Sequence, residues 1–529
     1  MPSISSLADR HAAVHRVPGR YLCFPDVCLA GDRLVCVYQD TDAHVGTEHR
    51  LLWKTSRDHG RTWSRHRILA PKGGHCPRLS MPGGRLTCID DRPRTVYRSP
   101  DNGRTWTMER TKKLGHSIFD RILELPQGRD GHGGWLTTGH QHRGSHPQPL
   151  IRQGPSEQMV YLSRDQGATW TPLSVLAFEK CLVLCEASVA ALPNGRLLAL
   201  MRENSFVGEP MYGCVSPDGG RTWSDPTPTP LVGHRPTLGL TASGRLLVTW
   251  RNLAPAGGTT AWLGREDELL SGPQCHGLHP DSANPRLENG VMVMDCKRGP
   301  DGSGGFVPDH ALFLLPAVSH PASARAVLRA RVTAVRGGLR ACCLRLGTWW
   351  RILPDRIRCD AAPDLSVPIE RGRMHGLRLT MQGGRVELAV DGEVRATVPV
   401  DPQRAESRVV AFGTGPKGAP ENPVDGSPRG RSLWEAVSLR IDEPRLGLVK
   451  TWRWRARRKL PDAWAAARIL ELAATNGITW CDFGYSGWAE TSPGRFTCVY
   501  HHADPGDPDY VPGRTCYVRA TRFSVEDFA

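Results

Sequence analysis

The sequence predicts an all-β chain, a six-bladed β-propeller with a β-sandwich inserted before its last blade. Three observations lead there: four copies of one turn motif, six copies of a Gly-centred hairpin, and one long interruption before the sixth hairpin. With 56 Gly and 43 Pro in 529 residues, the chain suits many short strands joined by turns better than long helices.

The turn motif is Ser-x-Asp-x-Gly-x-Thr-Trp, found without a mismatch at 56–63, 99–106, 163–170 and 216–223. Its Asp can accept backbone N–H groups, its Gly can take a positive φ, and its Trp can fold back on the flanking strands. Such turns hold structure rather than perform chemistry. The hairpin repeat sets an apolar strand on either side of Gly31, Gly84, Gly134, Gly195, Gly244 and Gly494. Six copies predict six blades, and the first five are spaced about 50–60 residues apart, a normal length for four short strands.

The gap of 250 residues between Gly244 and Gly494 marks an insertion. The expected organisation is blades 1–5 over 1–274, a lectin-like sandwich over 275–445, and a helix plus the closing blade over 446–529. The helix is expected over 459–476, and the last blade from Trp480 to Phe528 should lie beside the first and leave no open edge. A chain ending at Asp442 should therefore not fold, whereas excision of 275–442 should be tolerated.

The formal net charge of +15 comes from dispersed arginines, which serve solubility or attract an anionic partner. No dense basic run points to nucleic acid. No apolar leader core and no run of about 18 apolar residues is present, so a cytoplasmic chain without membrane contact is expected. Sixteen cysteines, lacking paired ligand spacing, read as buried reduced thiols, and no metal is expected.

The chemistry is expected at the hairpin ends. Nine residues before Gly84, Gly195, Gly244 and Gly494 stand His75, Glu186, Arg235 and Tyr485; seven residues after them stand Asp91, Arg202, Arg251 and His501. Each pair meets at one end of its hairpin, so all would ring one mouth of the central channel. Any one of these alone would read as a polar strand end meeting solvent. Together they offer guanidinium forks for a carboxylate, and a phenol that a nearby carboxylate could activate.

The turn motif resembles the Asp box, or BNR repeat, of the sialidase superfamily. Cys185-Glu186-Ala187-Ser188 followed by Arg202 resembles the sialidase Glu and its partner Arg, and Gly484-Tyr485-Ser486 resembles the segment carrying the sialidase tyrosine. The loop from Tyr38 to His44 resembles the one holding the acid, with Asp42 the best fit and Asp40 and Asp91 as alternatives. Segment 375–397 is similar to strands of concanavalin-like or laminin-G-like sandwiches.

The resemblance covers about 20–270 and 446–525. It implies a retaining exo-glycosidase releasing a terminal acidic sugar, sialic acid or a related nonulosonic acid. Tyr485 would be nucleophile, Glu186 base and Asp42 acid, with no metal or organic cofactor. The chain departs from the family at Leu22-Cys23-Phe24-Pro25, where an Arg-Ile-Pro sequence is usual. Arg20 or Arg235 would have to replace that arginine, with Arg202 and Arg251 completing the clamp. His44, His75, His116 and His140 would flank the pocket. A non-catalytic carbohydrate-binding propeller, and a hydrolase or lyase acting on another anionic glycan, remain open. An anionic glycan or acidic sugar is the expected partner.

Overall fold

The computed structural model describes residues 1–126, 133–147, 151, 153–255, 257–279, 283–297, 311–337, 341–414, 429–475, 478–479 and 481–528. Asn476, expected at a helix end, and Trp480, expected to open the last blade, lie outside them. The fold is a six-bladed all-β propeller, each blade an antiparallel sheet of four strands. Blades 1 to 4 follow the chain in order, over residues 21–70, 78–110, 123–177 and 184–228. The first strand of each is the innermost, and inner and second strands are joined by the turns at Gly31, Gly84 and Gly195 as expected.

The expected closure between the two ends of the ring takes a specific form. Strand His11–His15 is the outermost strand of blade 6, paired with Tyr517–Ser524. Blade 1 therefore starts only at Tyr21, and the last blade is built from both ends of the chain.

Each of the four turn motifs joins the third and fourth strands of its blade. In the first, Asp58 accepts the Thr62 N–H at 2.9 Å and the Ser56 hydroxyl at 2.7 Å, and the Trp63 indole donates to the Gly60 carbonyl at 3.2 Å. Gly60 has φ 88°, and a Cβ there would stand 2.9 Å from the Thr497 methyl of blade 6. The motif thus needs glycine both for its turn and for the blade packed behind it.

Two findings revise the expected organisation. The helix expected over 459–476 is only Ala463–Arg468. Ile469–Ala473 is instead a strand that pairs with Thr259–Gly264 as the fourth strand of blade 5. Its sequence Ile-Leu-Glu-Leu-Ala satisfies helical and strand spacing alike, and the open edge of blade 5 decides between them. The insertion thus interrupts blade 5 between its third and fourth strands instead of preceding blade 6.

The inserted residues form a seven-stranded and an eight-stranded antiparallel sheet around one apolar core that includes Phe313, Leu328, Trp350, Phe412 and Trp434. This unit is locked to the propeller by buried charge. Glu209 of the propeller lies 3.1 Å from Arg408 and 3.3 Å from Lys450, and none of the three side chains is exposed. Excision of 275–442, expected to be tolerated, would strip Arg408 from Glu209 and strand Leu448–Arg455 without its partner Arg429–Glu443.

The middle of the ring is closed by polar side chains. Asp26 of blade 1 accepts the Leu79 N–H of blade 2 at 2.8 Å and the Arg121 Nε–H at 3.0 Å. Arg78 donates to the Thr237 hydroxyl of blade 5 at 2.9 Å and to the Ser486 carbonyl of blade 6 at 3.3 Å. Asp120 accepts the Val189 N–H of blade 4 at 2.8 Å. This hub gives the mouth a rigid floor. Among the described residues no helix is long and apolar enough to cross a membrane, and all sixteen cysteines are free, all but Cys28 and Cys296 buried.

Candidate functional site

One backbone device recurs around the mouth. Just before or within the inner strand of each blade, a residue takes a positive φ: Phe24 (50°), Cys76 (47°), Ile118 (56°), Glu186 (50°), Arg235 (51°) and, in blade 6, Gly484 (91°). In blades 1, 4 and 5 the pairing register slips there, between Cys23 and Asp26, Cys185 and Ser188, and His234 and Thr237. Such bulges re-aim a side chain out of the strand's alternation. Gly484 serves a second need, because a Cβ there would lie 2.6 Å from the Arg251 Cβ.

Pairing also corrects the alignment of blade 2. Asp91 N–H donates to the His75 carbonyl, as Gly484 N–H does to His501, so His75 shares the register of Cys185 and Gly484. Cys76, not His75, is the counterpart of Glu186. The turn 81–84 contains two positive-φ glycines, Gly83 and Gly84, and the extra residue displaces the count.

The structure brings Glu186, Arg202 and Tyr485 together. The Tyr485 hydroxyl donates to Glu186 Oε1 at 2.8 Å, and Arg202 Nη1 donates to Glu186 Oε2 at 2.7 Å and also to the Tyr485 oxygen. Burial disfavours the Glu186 carboxylate, but Arg202 and Arg235 outweigh it and hold its pKa at about 2. Burial pushes the Tyr485 phenol well above its ordinary value, only partly opposed by Arg202. At rest the proton therefore sits on Tyr485 beside an ionised Glu186. His140 accepts the Glu186 N–H on Nδ1 at 3.3 Å; burial lowers its pKa to about 3, so the ring is neutral.

The arginines divide their work. Arg202 is buried at 6 % exposure and paired with Glu186, so it anchors structure as well as holding the site together. Arg235 lies with its Cζ 5.9 Å from the Tyr485 ring centre and donates to the Phe119 carbonyl at 3.4 Å. Arg251, expected in the clamp, is fully buried beneath the tyrosine. Its Cζ sits 4.2 Å from the Tyr485 ring centre, and its Nε donates to the Phe483 carbonyl at 2.6 Å. It packs under the segment that carries Tyr485. Arg20 is held away by Asp40, at 2.8 Å, and by Glu48.

In the stretch Leu22-Cys23-Phe24-Pro25, which holds no arginine, Phe24 has its ring centre 5.3 Å from Tyr485, 5.5 Å from His75 and 6.0 Å from His44. Asp42 has a different task from the one expected: its carboxylate accepts the N–H groups of Thr47 at 2.9 Å and Glu48 at 3.1 Å, capping its own loop. Those hydrogen bonds hold its pKa at about 2. His44, from the same loop, faces Tyr21 and Phe24 at the pocket wall. His116 turns aside to Tyr161 and Glu157.

His75 and Asp91 form a pair at 2.8 Å, with Asp91 also accepting the Ile118 N–H at 3.0 Å. Burial opposes a charge on His75, but Cys76 and Asp91 prevail and raise its pKa to about 10, so the imidazolium persists at neutral pH. Among the described residues no cluster of His, Cys, Asp and Glu could hold a metal ion.

Residues 89–252, from blade 2 into blade 5, match the BNR repeat-like domain family. No curated protein matches the chain. Among solved structures, a protein of unknown function from Dyadobacter fermentans is 12% identical with a TM-score of 0.44, covering 97% of both chains. A Trypanosoma rangeli sialidase, solved with 2,3-difluorosialic acid as a covalent intermediate, is 14% identical with a TM-score of 0.34, covering 82% of this chain and 93% of its own. A sucrose-6-phosphate hydrolase from Lactobacillus gasseri is 12% identical with a TM-score of 0.34, covering 81% and 93%.

Proposed function

We propose that this pocket is the active site of a retaining exo-glycosidase that releases a terminal acidic sugar, sialic acid or a related nonulosonic acid. The observation carrying this reading is the buried hydrogen bond from Tyr485 to Glu186, 2.8 Å long, with Arg202 bridging both. A carboxylate beside the anomeric carbon repels an anionic nucleophile, whereas a neutral phenol avoids that repulsion until attack begins.

The Tyr485 oxygen attacks the anomeric carbon while its proton passes to Glu186, and the glycosidic bond breaks. The leaving oxygen needs a proton, and His75, with Nδ1 on Asp91 and Nε2 3.6 Å from Cys76 Sγ, supplies it from Nε2 in place of Asp42. In the second half His75 takes a proton from water, which displaces Tyr485 from the anomeric carbon. The phenolate leaves with the proton held by Glu186. Arg202 and Arg235 hold the sugar carboxylate.

Fluorogenic acidic glycosides test the activity, and a 3-fluoro acidic sugar tests the covalent step. The expected result is turnover of one acidic glycoside and a mass adduct on Tyr485; turnover without an adduct removes the tyrosine mechanism. Phe24 favours a second reading, a hydrolase or lyase on another anionic glycan, because it leaves two guanidinium groups for the carboxylate where the family has three. Preference for uronic over nonulosonic glycosides would select that reading.

A further inference from the structure

We infer that the outer face of the eight-stranded sheet is a binding trough for an extended acidic polysaccharide. This site lies in the inserted unit and does not depend on the reading of the pocket.

The argument starts from register. Across the sheet, Arg329 pairs with Ser438 and Ser438 with Arg453; one step along, Arg331 pairs with Ala436 and Ala436 with Arg455. Paired residues in an antiparallel sheet share a face. The central strand Arg429–Glu443 therefore offers small side chains, Ala436 and Ser438, between two rows of arginines. The flanking strands stand about 10 Å apart, twice the inter-strand spacing, which is the width of a trough that admits a single sugar chain. Arg329, Ala436, Ser438, Arg453 and Arg455, with Arg440 of the central strand, line a groove of about 720 Å³.

The charge of the trough is not neutralised within the fold. Arg331 meets Glu435 at 2.6 Å, but Arg329, Arg453 and Arg455 are exposed and make no ion pair among the described residues. Repelling guanidinium groups side by side on a sheet are costly unless an anion comes between them. A guanidinium offers a planar fork that fits a carboxylate or sulfate.

The aromatic residues of the edge strand, Trp452 and Trp454, pack on the apolar core. No aromatic side chain of the trough is among the exposed large apolar residues, so the face lacks a stacking platform for nucleic-acid bases. An anionic chain read by its charges is the occupant this chemistry fits.

The test uses the full chain with polygalacturonate, dextran sulfate, uncharged dextran and a short DNA duplex, measured by titration calorimetry at several salt concentrations. Arg329→Ser/Arg453→Ser removes one cation from each row, and Ala436→Phe fills the floor. Polygalacturonate or dextran sulfate should bind, and the one that binds identifies carboxylate or sulfate as the group recognised. Binding should weaken tenfold or more in both variants, with melting temperatures unchanged. The salt dependence should fall by about two counterions in the double variant, one for each cation removed. Equal binding by the variants, binding of uncharged dextran as tight as the acidic polymers, a duplex bound more tightly than either, or no binding of either acidic polymer would each overturn the proposal.

Discussion

The mouth of the propeller divides into two arcs built on one backbone device. In blades 1 to 3 the positive-φ residues are Phe24, Cys76 and Ile118; in blades 4 and 5 they are Glu186 and Arg235, and in blade 6 the positive φ falls on Gly484, just before Tyr485. The geometry is shared and the chemistry is not. At these positions one arc carries apolar side chains and the other a hydrogen-bonded charge network, and the charge of the first arc comes from the neighbouring His75–Asp91 pair. The lesson is that the repeat fixes where a side chain will be aimed, and the residues placed there and beside it decide whether that blade reacts, binds or packs.

The largest expected effect separates the arcs. Tyr485→Phe should lower kcat on the preferred acidic glycoside by about three orders of magnitude or more, the scale on which loss of a covalent nucleophile is felt. Binding of a product acid should persist. Phe24→Leu, the matching change in the apolar arc, should alter KM more than kcat. Equal kcat losses from the two variants would erase the distinction.

Next in size is Arg202→Ala. It leaves the buried Glu186 with only Arg235 nearby, and should destabilise the fold by about 3 kcal/mol, the cost of breaking a buried pair from one side. Urea titration checks this. An unchanged midpoint would mean that Arg202 serves ligand binding only.

Gly484→Ala should cost about 1–3 kcal/mol for an L-residue at positive φ, and the added methyl would press on Arg251. Since Arg251 underlies the Tyr485 ring, kcat should fall further than the stability loss explains. Single-turnover kinetics with a 3-fluoro sugar would show slower labelling.

The smallest effect is a pH dependence. His75 has a folded pKa of about 10 against an ordinary 6.5, so its stabilising contribution is complete below 6.5 and lost as pH rises toward 10. Glu186, lowered from 4.5 to about 2, contributes fully above 4.5 and loses that contribution as pH falls toward 2. Asp91→Asn should flatten the alkaline limb and leave the acid limb in place. If both limbs survive in that variant, the His75–Asp91 pair does not control the alkaline one.

Much of this was legible in the residues. Four identical turns and the Gly-centred hairpins predict the ring, and their shared register picks out Glu186, Arg202, Arg235 and Tyr485 together. The bulges at Phe24, Cys76 and Ile118 leave no sequence signal, because the bulge positions carry ordinary residues that tertiary packing holds at positive φ. The hub of Asp26, Arg78, Asp120 and Arg121 carries no sequence signal, because its members come from three blades with no common spacing. The Glu209–Arg408–Lys450 lock joins residues about 200 and 240 positions apart, a distance at which no local pattern survives. At Asp42 a loop-capping aspartate and a proton donor look alike in sequence until the hydrogen-bond partners are seen.

The strand His11–His15 has a consequence for how the protein comes into being. Its sheet partner, Tyr517–Ser524, is synthesised long after it. At roughly 5–20 residues per second, the two are separated by ~25–100 s of synthesis. Glu186 likewise waits for Tyr485. Through that interval the nascent chain holds an unmatched strand edge at each end of an open arc, and the pocket does not yet exist. Ring closure and assembly of the site therefore both wait for the segment that carries Tyr485 and Tyr517–Ser524.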